Sequence, residues 1–296
     1  MICFFQRSIK KTIVIEGIGL HTGNKTKIKL IPAKENTGII FIKDGVEIPA
    51  NIDYAKRFDF STTLEKDGKV INTVEHLLSA LYLTGIDNVY IEIIGDEIPI
   101  LDGSAHLFIK HIKSAGIKSL REEKIYAVLK EEMLVKDEDK YIYGKPSEEI
   151  IFTYHADYNN NIIGNRKFSY KPNEKESFNS VANARTYCFI EEVNYLKNLG
   201  LAKGGSLENA VVFDGDKVLN PDGLRYEDEP VRHKVLDLIG DLYLLGYPLW
   251  ADIYSYKGGH RLNAEFVRNI KENGAVELLY ASEVLDKNNI LTKIAV

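Results

Sequence analysis

Cysteine is scarce in this chain of 296 residues: only Cys3 and Cys188 occur, with no CxxC pair. That excludes a disulfide framework and fits a reducing compartment. A basic excess is absent as well. Lys and Arg number 38 against 43 Asp and Glu, a formal net charge of −5, so no broad field draws in nucleic acid or anionic lipid. A small basic pocket for a phosphorylated ligand is still allowed. Long apolar runs are missing too. The N-terminal MICFFQRSIKK has only Ile2 to Phe5 before Gln6 and Arg7. A signal-peptide core needs roughly 7–15 apolar residues and a membrane span about 20. The chain is expected to be cytoplasmic, without an integral membrane segment or a nucleic-acid partner.

Several cofactor and nucleophile signatures fail on spacing. GLAKGGSLEN at 200–209 lacks the GK[ST] ending of a phosphate loop, no GxGxxG follows a strand, and DGSAH at 102–106 lacks the GxSxG elbow.

What is present is ordinary globular material, 45% hydrophobic and 27% charged, enough for a sizeable core. KKTIVIEGIGL, KTKIKLIPA and TGIIFIKDG alternate as strands do. NTVEHLLSALYLTG reads as an amphipathic helix closed by Gly85, and NVYIEIIG as a buried strand. EIPILDGSAHLFIKHIKSAG gives a loop and a second helix. Residues 120–126, with the charge cluster REEK, read as a linker into a second unit. Beyond it lie strand-like KIYAVLKEEMLVK, YIYGKP and EEIIFTYHADY, then ARTYCFIEEVNYLKNLG as a helix, strands around a DG turn, and the helix PVRHKVLDLIGDLYLLG before PLWADIYSY.

Each half thus holds a helix that begins near a His, a closing Gly and an apolar strand, the mark of an internal duplication. The pattern predicts an α+β chain of two similar domains. Each is a two-layer sandwich of a mainly antiparallel sheet and two helices, with the helices packed between the sheets. The expected divisions are 1–122, 123–275 and a tail at 276–296.

In VRHKVLDLIGD, residues 231–241, the spacing i, i+4, i+8 puts His233, Asp237 and Asp241 along one side of an otherwise apolar helix. Buried carboxylates need cations or donors. A divalent metal on His233 and Asp237 meets that need, although HxxxD also describes a plain His–Asp hydrogen bond. His76 from the first half completes a set of two His and one carboxylate, the composition of a catalytic zinc site. Glu75 beside it would be the base. The plainer reading makes Glu75 one half of a capping box with Asn72 and His76 a hydrogen-bonded core imidazole. His260, in SYKGGHRLN, reads as a loop residue on a glycine-rich turn, and Asp241 is placed to raise its pKa. His21 in GIGLHTG is a candidate substrate contact. His106, His111 and His155 show no partner pattern. Gly240, near the azimuth of His233, leaves room beside an ion.

NTVEHLLSAL, EIPILDGSA, ARTYCF, GLAKGGSLENAVV, GLRYEDEPVRHKVLDLIGDLYLLG and KGGHRLN, in that order, resemble the UDP-3-O-acyl-N-acetylglucosamine deacetylases of lipid A synthesis. The resemblance runs from about residue 17 to 263. It implies one catalytic Zn2+, or another divalent transition metal in the cell, on His76, His233 and Asp237. It implies Glu75 as general base and His260 as general acid, with Asp241 paired to His260. Thr186 would steady the oxyanion and Lys234 would contact substrate polar groups. It also implies a hydrophobic passage for the acyl chain within 187–207, including Tyr187, Ile190 and Val193, with Tyr187 where Phe is common in the family. Lys145 matches a lysine near the UDP diphosphate, and TYHADY at 153–158 a uridine contact. The partner would be a small molecule, an acylated UDP-sugar, acted on by a monomer. Two other readings are a metal-free sugar-nucleotide binding protein, which a complete Glu75/His76/His233/Asp237/His260 set disfavours, and a zinc peptidase, which the lack of HEXXH disfavours.

Overall fold

A computed structural model of the chain describes residues 2–159 and 162–287. Two five-stranded sheets dominate it. The first runs Ile13–Ile18, Lys25–Pro32, Val89–Ile94, Ile39–Lys43, Val46–Pro49, and the second Met133–Asp137, Lys140–Lys145, Asp252–Tyr256, Ile151–Asp157, Asn165–Tyr170. In both, the last strand in sequence takes the centre. Val89–Ile94 is antiparallel to Lys25–Pro32 and parallel to Ile39–Lys43. Asp252–Tyr256 is antiparallel to Lys140–Lys145 and parallel to Ile151–Asp157. The same strand order twice is the duplication inferred from sequence, and the chain is an α+β protein of two similar sandwiches.

Alternation builds these sheets. In Lys25–Pro32 the side chains of Ile28 and Leu30 are fully buried, while Lys25, Lys27 and Lys29 alternate with the buried positions and are more exposed. The KDG turn pairs Lys43 with Val46 across two residues, and Asp44 and Gly45 both have positive φ, 48° and 81°. That twist suits a two-residue hairpin, which Asp-Gly adopts at low cost.

Seven α-helices occur among the described residues: α1 Glu75–Thr84, α2 His106–Ala115, α3 Lys175–Ala182, α4 Ile190–Asn198, α5 Glu229–Leu242, α6 His260–Glu272 and α7 Ala281–Lys287. None is long and apolar enough to cross a membrane. Helices α1 and α5 pack on each other between the sheets, with α2 against α1 and α6 against α5. Every residue of α1 is buried. It is a core helix rather than an amphipathic one, because α5 covers the side that would otherwise face water. Leu77, Leu78 and Leu81 on α1 and Val235, Leu236 and Ile239 on α5 belong to one continuous core.

Some segments differ from the sequence reading. REEK does not form a loop: Ile117–Glu123 is a strand paired with Phe5–Ile9. Only Lys124, buried against Asp87 at 2.6 Å, separates it from the strand Ile125–Leu129. ARTYCF ends in a strand, Tyr187–Phe189, parallel to Val211–Asp214, before α4 begins. Residues 276–280 form a strand antiparallel to Ile125–Leu129, and Val284 and Leu285 of α7 are buried. Apolar residues in a short strand and a seven-residue helix carry too little periodicity to be read reliably.

Candidate active site

Helix α1 opens without a side-chain cap, since its N-cap residue is Val74. The capping box is therefore not formed. Asn72 accepts from the Thr63 hydroxyl, and the Glu75 carboxylate accepts from the Thr62 N–H at 3.0 Å. The Glu75 carboxylate instead lines the cavity described below. Helix α5 starts with Pro230 inside its first turn, where the missing N–H costs nothing. Its start is anchored by the fully buried Glu229, which accepts from Arg185 Nε at 2.8 Å and Nη2 at 3.0 Å, and from the Arg225 N–H at 2.7 Å. That fork binds α5 to the segment bearing Thr186.

The two helices meet at Gly240. A Cβ there would press into the Glu75 carbonyl. Gly240 thus makes room for the backbone of α1 rather than for an ion, and the spacing argument from sequence is corrected on this point. Gly240→Ala is expected to cost about 1–3 kcal/mol or more in stability and to lose most turnover, because the α1 groups would retreat from α5. Thermal unfolding and turnover of the variant check both.

The close approach brings His76 to His233 and Asp237. Ligand atoms of the three lie within 4.8 Å of one another, all buried. His76 Nε2 is 3.6 Å and His233 Nε2 3.3 Å from Asp237 Oδ1. Burial holds the His76 imidazole below its ordinary pKa, despite its contact with Asp237, so its lone pair is available. The 3.0 Å contact of His233 Nδ1 with the Ala184 carbonyl assigns the proton to Nδ1. Nε2 then faces Asp237 Oδ1 across 3.3 Å. A proton or a metal ion between those two atoms relieves the contact, and the three side chains could together hold an ion. The donor set of two imidazoles and one carboxylate suits a divalent transition metal. Burial works against the charge on Asp237, yet His233 and Lys234 hold its carboxyl well below the usual range. Lys234 Nζ donates to Asp237 Oδ2 at 2.9 Å and lies over the Tyr187 ring.

His260 is the first residue of α6, not a loop residue. Its Nδ1 is 2.8 Å from Asp241 Oδ2, which also accepts from Asn263 Nδ2 at 2.9 Å, while Asp241 Oδ1 accepts from the Thr62 hydroxyl at 2.6 Å. Burial alone would lower the pKa of His260. The charge and hydrogen bond of Asp241, with Asp237 and Glu75 nearby, outweigh it and push the imidazole up to about 9. Burial pushes Glu75 up to about 8, with His260 opposing and the two aspartates reinforcing.

Glu75, His76, His233, Lys234, Asp237 and His260 line one cavity of about 420 Å3, together with His21 and Thr186. Tyr187, Ile190, Val193, Leu196 and Leu207 give the same cavity an apolar wall. Thr186 is fixed by backbone bonds to Gly103 and Val211, each 2.8 Å. His21 is buried with neither ring nitrogen hydrogen-bonded, on a loop whose N–H groups at His21 and Thr22 donate to the buried Glu97. The glycines of GLAKGG serve backbone contact: Gly204 lies against the Gly19 carbonyl, zipping the two loops together. Lys145 is not brought to the cavity. It pairs with Asp252 at 3.3 Å on the half-exposed side of the second sheet.

Four further residues matter here. Thr62 and Asn263 complete the partners of Asp241, Tyr158 hydrogen-bonds Tyr187 through their hydroxyls at 2.9 Å, and Phe60 lines the mouth with φ of 63°. Thr62 carries no local sequence signal. Asn263 stands three residues after His260 on the same helix side, a spacing that could have pointed to it.

The profile of the UDP-3-O-acyl N-acetylglycosamine deacetylase family matches residues 6–272. The UDP-3-O-acyl-N-acetylglucosamine deacetylase of Aquifex aeolicus (strain VF5) is 46% identical over 265 residues, 90% of this chain and 92% of that protein. Those of Nautilia profundicola and Nitratiruptor sp. are 42% and 40% identical, covering 93% and 97% of this chain and 94% and 97% of theirs.

Proposed function

The chain belongs to the UDP-3-O-acyl N-acetylglycosamine deacetylase family, and from that premise we propose that it hydrolyses the N-acetyl group of UDP-3-O-acyl-N-acetylglucosamine. The products are UDP-3-O-acyl-glucosamine and acetate, in lipid A biosynthesis. The observation that carries this reading is a single one. Groups from α1, α5 and α6 converge on one cavity whose lining also includes an apolar wall.

Zn2+ is the ion we assign to His76, His233 and Asp237, and when bound it supplies a Lewis acid that makes water and the amide carbonyl more reactive. Glu75 is the base. Thr62 occupies its Oε2, so Oε1 takes the proton from the attacking water, and burial makes the carboxylate eager for it. Thr186 steadies the carbonyl oxygen as it gains charge. Asp241 occupies Nδ1 of His260. Its Nε2 therefore gives a proton to the leaving nitrogen as the C–N bond breaks, and a free amine departs. Lys234 and His21 contact polar groups of the sugar and its phosphates. Tyr187, Ile190 and Val193 hold the acyl chain along that wall. The reaction belongs in the cytoplasm, where Cys3 and Cys188 stay reduced.

The test is acetate release from the acylated UDP-sugar by purified protein, with and without chelator. Chelator-sensitive release supports the reading. Tight binding of the UDP-sugar without any release would leave a sugar-nucleotide binding protein instead.

A further inference from the structure

Thr62 is fully buried in the STT segment ahead of the strand Thr63–Lys66. It uses all three of its polar groups on the site. Its N–H donates to Glu75 Oε2 at 3.0 Å, its hydroxyl donates to Asp241 Oδ1 at 2.6 Å, and its carbonyl accepts from the N–H of Val74 at 3.2 Å, just before α1. One residue of the first half therefore touches the proposed base, the partner of the proposed acid, and the start of the helix that carries Glu75 and His76.

We propose that Thr62 is a positioning residue for the deacetylation, holding Glu75 and the Asp241–His260 pair in register across the two halves. This rests on the deacetylase reading above. Asp241 is 1% exposed and its Oδ2 is shared by His260 and Asn263. The Thr62 hydroxyl is the donor at Oδ1. Without it a buried carboxylate oxygen is left unsatisfied, and the carboxylate swings to share its remaining donors differently. His260 Nδ1 follows that movement, and with it Nε2, the nitrogen that must reach the leaving amine. On the other side, the Thr62 N–H holds Glu75 through Oε2 and so fixes the orientation of the carboxylate along the cavity it lines. Small displacements of such groups weaken proton transfer more than they weaken substrate binding.

Thr62→Val removes the hydroxyl and keeps the N–H to Glu75. It is expected to lower kcat about tenfold or more with KM within about twofold. It should also displace the alkaline limb of the kcat profile, which reports His260, by about half a unit or more. The charged and titratable groups around His260 are Asp241 and Asp237 on α5, Glu75 and His76 on α1, and His21. None of these is altered by the substitution. Thr62→Ser keeps the donor and should restore both quantities. If Thr62→Val does not fold, Thr62→Ala against Thr62→Ser isolates the same hydroxyl. Wild-type kcat and limb in the Val variant, a loss confined to KM, or a Ser variant as impaired as Val would each overturn the role. Wild-type protein that releases no acetate would instead overturn the deacetylase reading beneath it.

Discussion

Glu75→Gln is expected to cut turnover by about a hundred- to ten-thousand-fold while making the chelator-treated protein more stable at pH 7 and above. The first effect follows from the loss of the only proposed base. The second follows from burial, which raises the Glu75 carboxyl to about 8 from an ordinary value near 4.5. A folded-state pKa raised in an acid means that the folded protein binds more protons than the unfolded chain between those values. Stability therefore falls as pH climbs from about 4.5 to about 8, and the amide removes that loss. A variant that is nearly inactive yet melts higher is the signature of a group kept for chemistry at the expense of stability. Unfolding of Glu75→Gln at a lower temperature would assign the carboxylate a structural role.

His260→Ala is expected to keep the capacity to bind metal and lose about a hundred- to ten-thousand-fold in turnover, as the proposed proton donor to the leaving amine is removed. Loss of metal from this variant would make His260 a ligand. Its pKa gives a second handle. Asp241 holds the imidazole up to about 9, so the cationic form dominates at neutral pH and the rate falls on the alkaline side. In Asp241→Asn burial acts unopposed by that carboxylate, and the alkaline limb moves down toward or below about 6.5. The stability linkage has the matching sign. The contribution of charged His260 is fully present below about 6.5 and is lost as pH rises through about 9. A pH profile unchanged in Asp241→Asn would break the assignment.

Much of this site was legible in residue spacing. His233, Asp237 and Asp241 advertise themselves because three polar groups in line on an apolar helix need partners. The duplication then supplied His76 as the third member of the set, and the structure brings it to the other two. The strand order repeated in the two sheets follows from the same duplication. What spacing could not reveal was depth and contact. Gly240 reads as space when seen along one helix, and only the backbone of α1 packed on it gives the real cause. His260 looked like a loop residue because two glycines precede it, yet Gly259 is the N-cap of α6. Thr62 is 179 residues from Asp241 in sequence, and no local pattern encodes a contact of that range. Lys145 matched a motif, but β alternation turns its side chain to the face opposite Ile142 and Gly144.

The central claim is that one divalent ion on His76, His233 and Asp237 makes this chain a deacetylase. Its most direct test is to strip the purified protein with chelator and titrate Zn2+ back, following acetate release from UDP-3-O-acyl-N-acetylglucosamine. The predicted result is negligible release from stripped protein, rising linearly to a break at about one ion per chain, with no recovery in Asp237→Ala. Full release from the stripped protein, or equal recovery in Asp237→Ala, would contradict it.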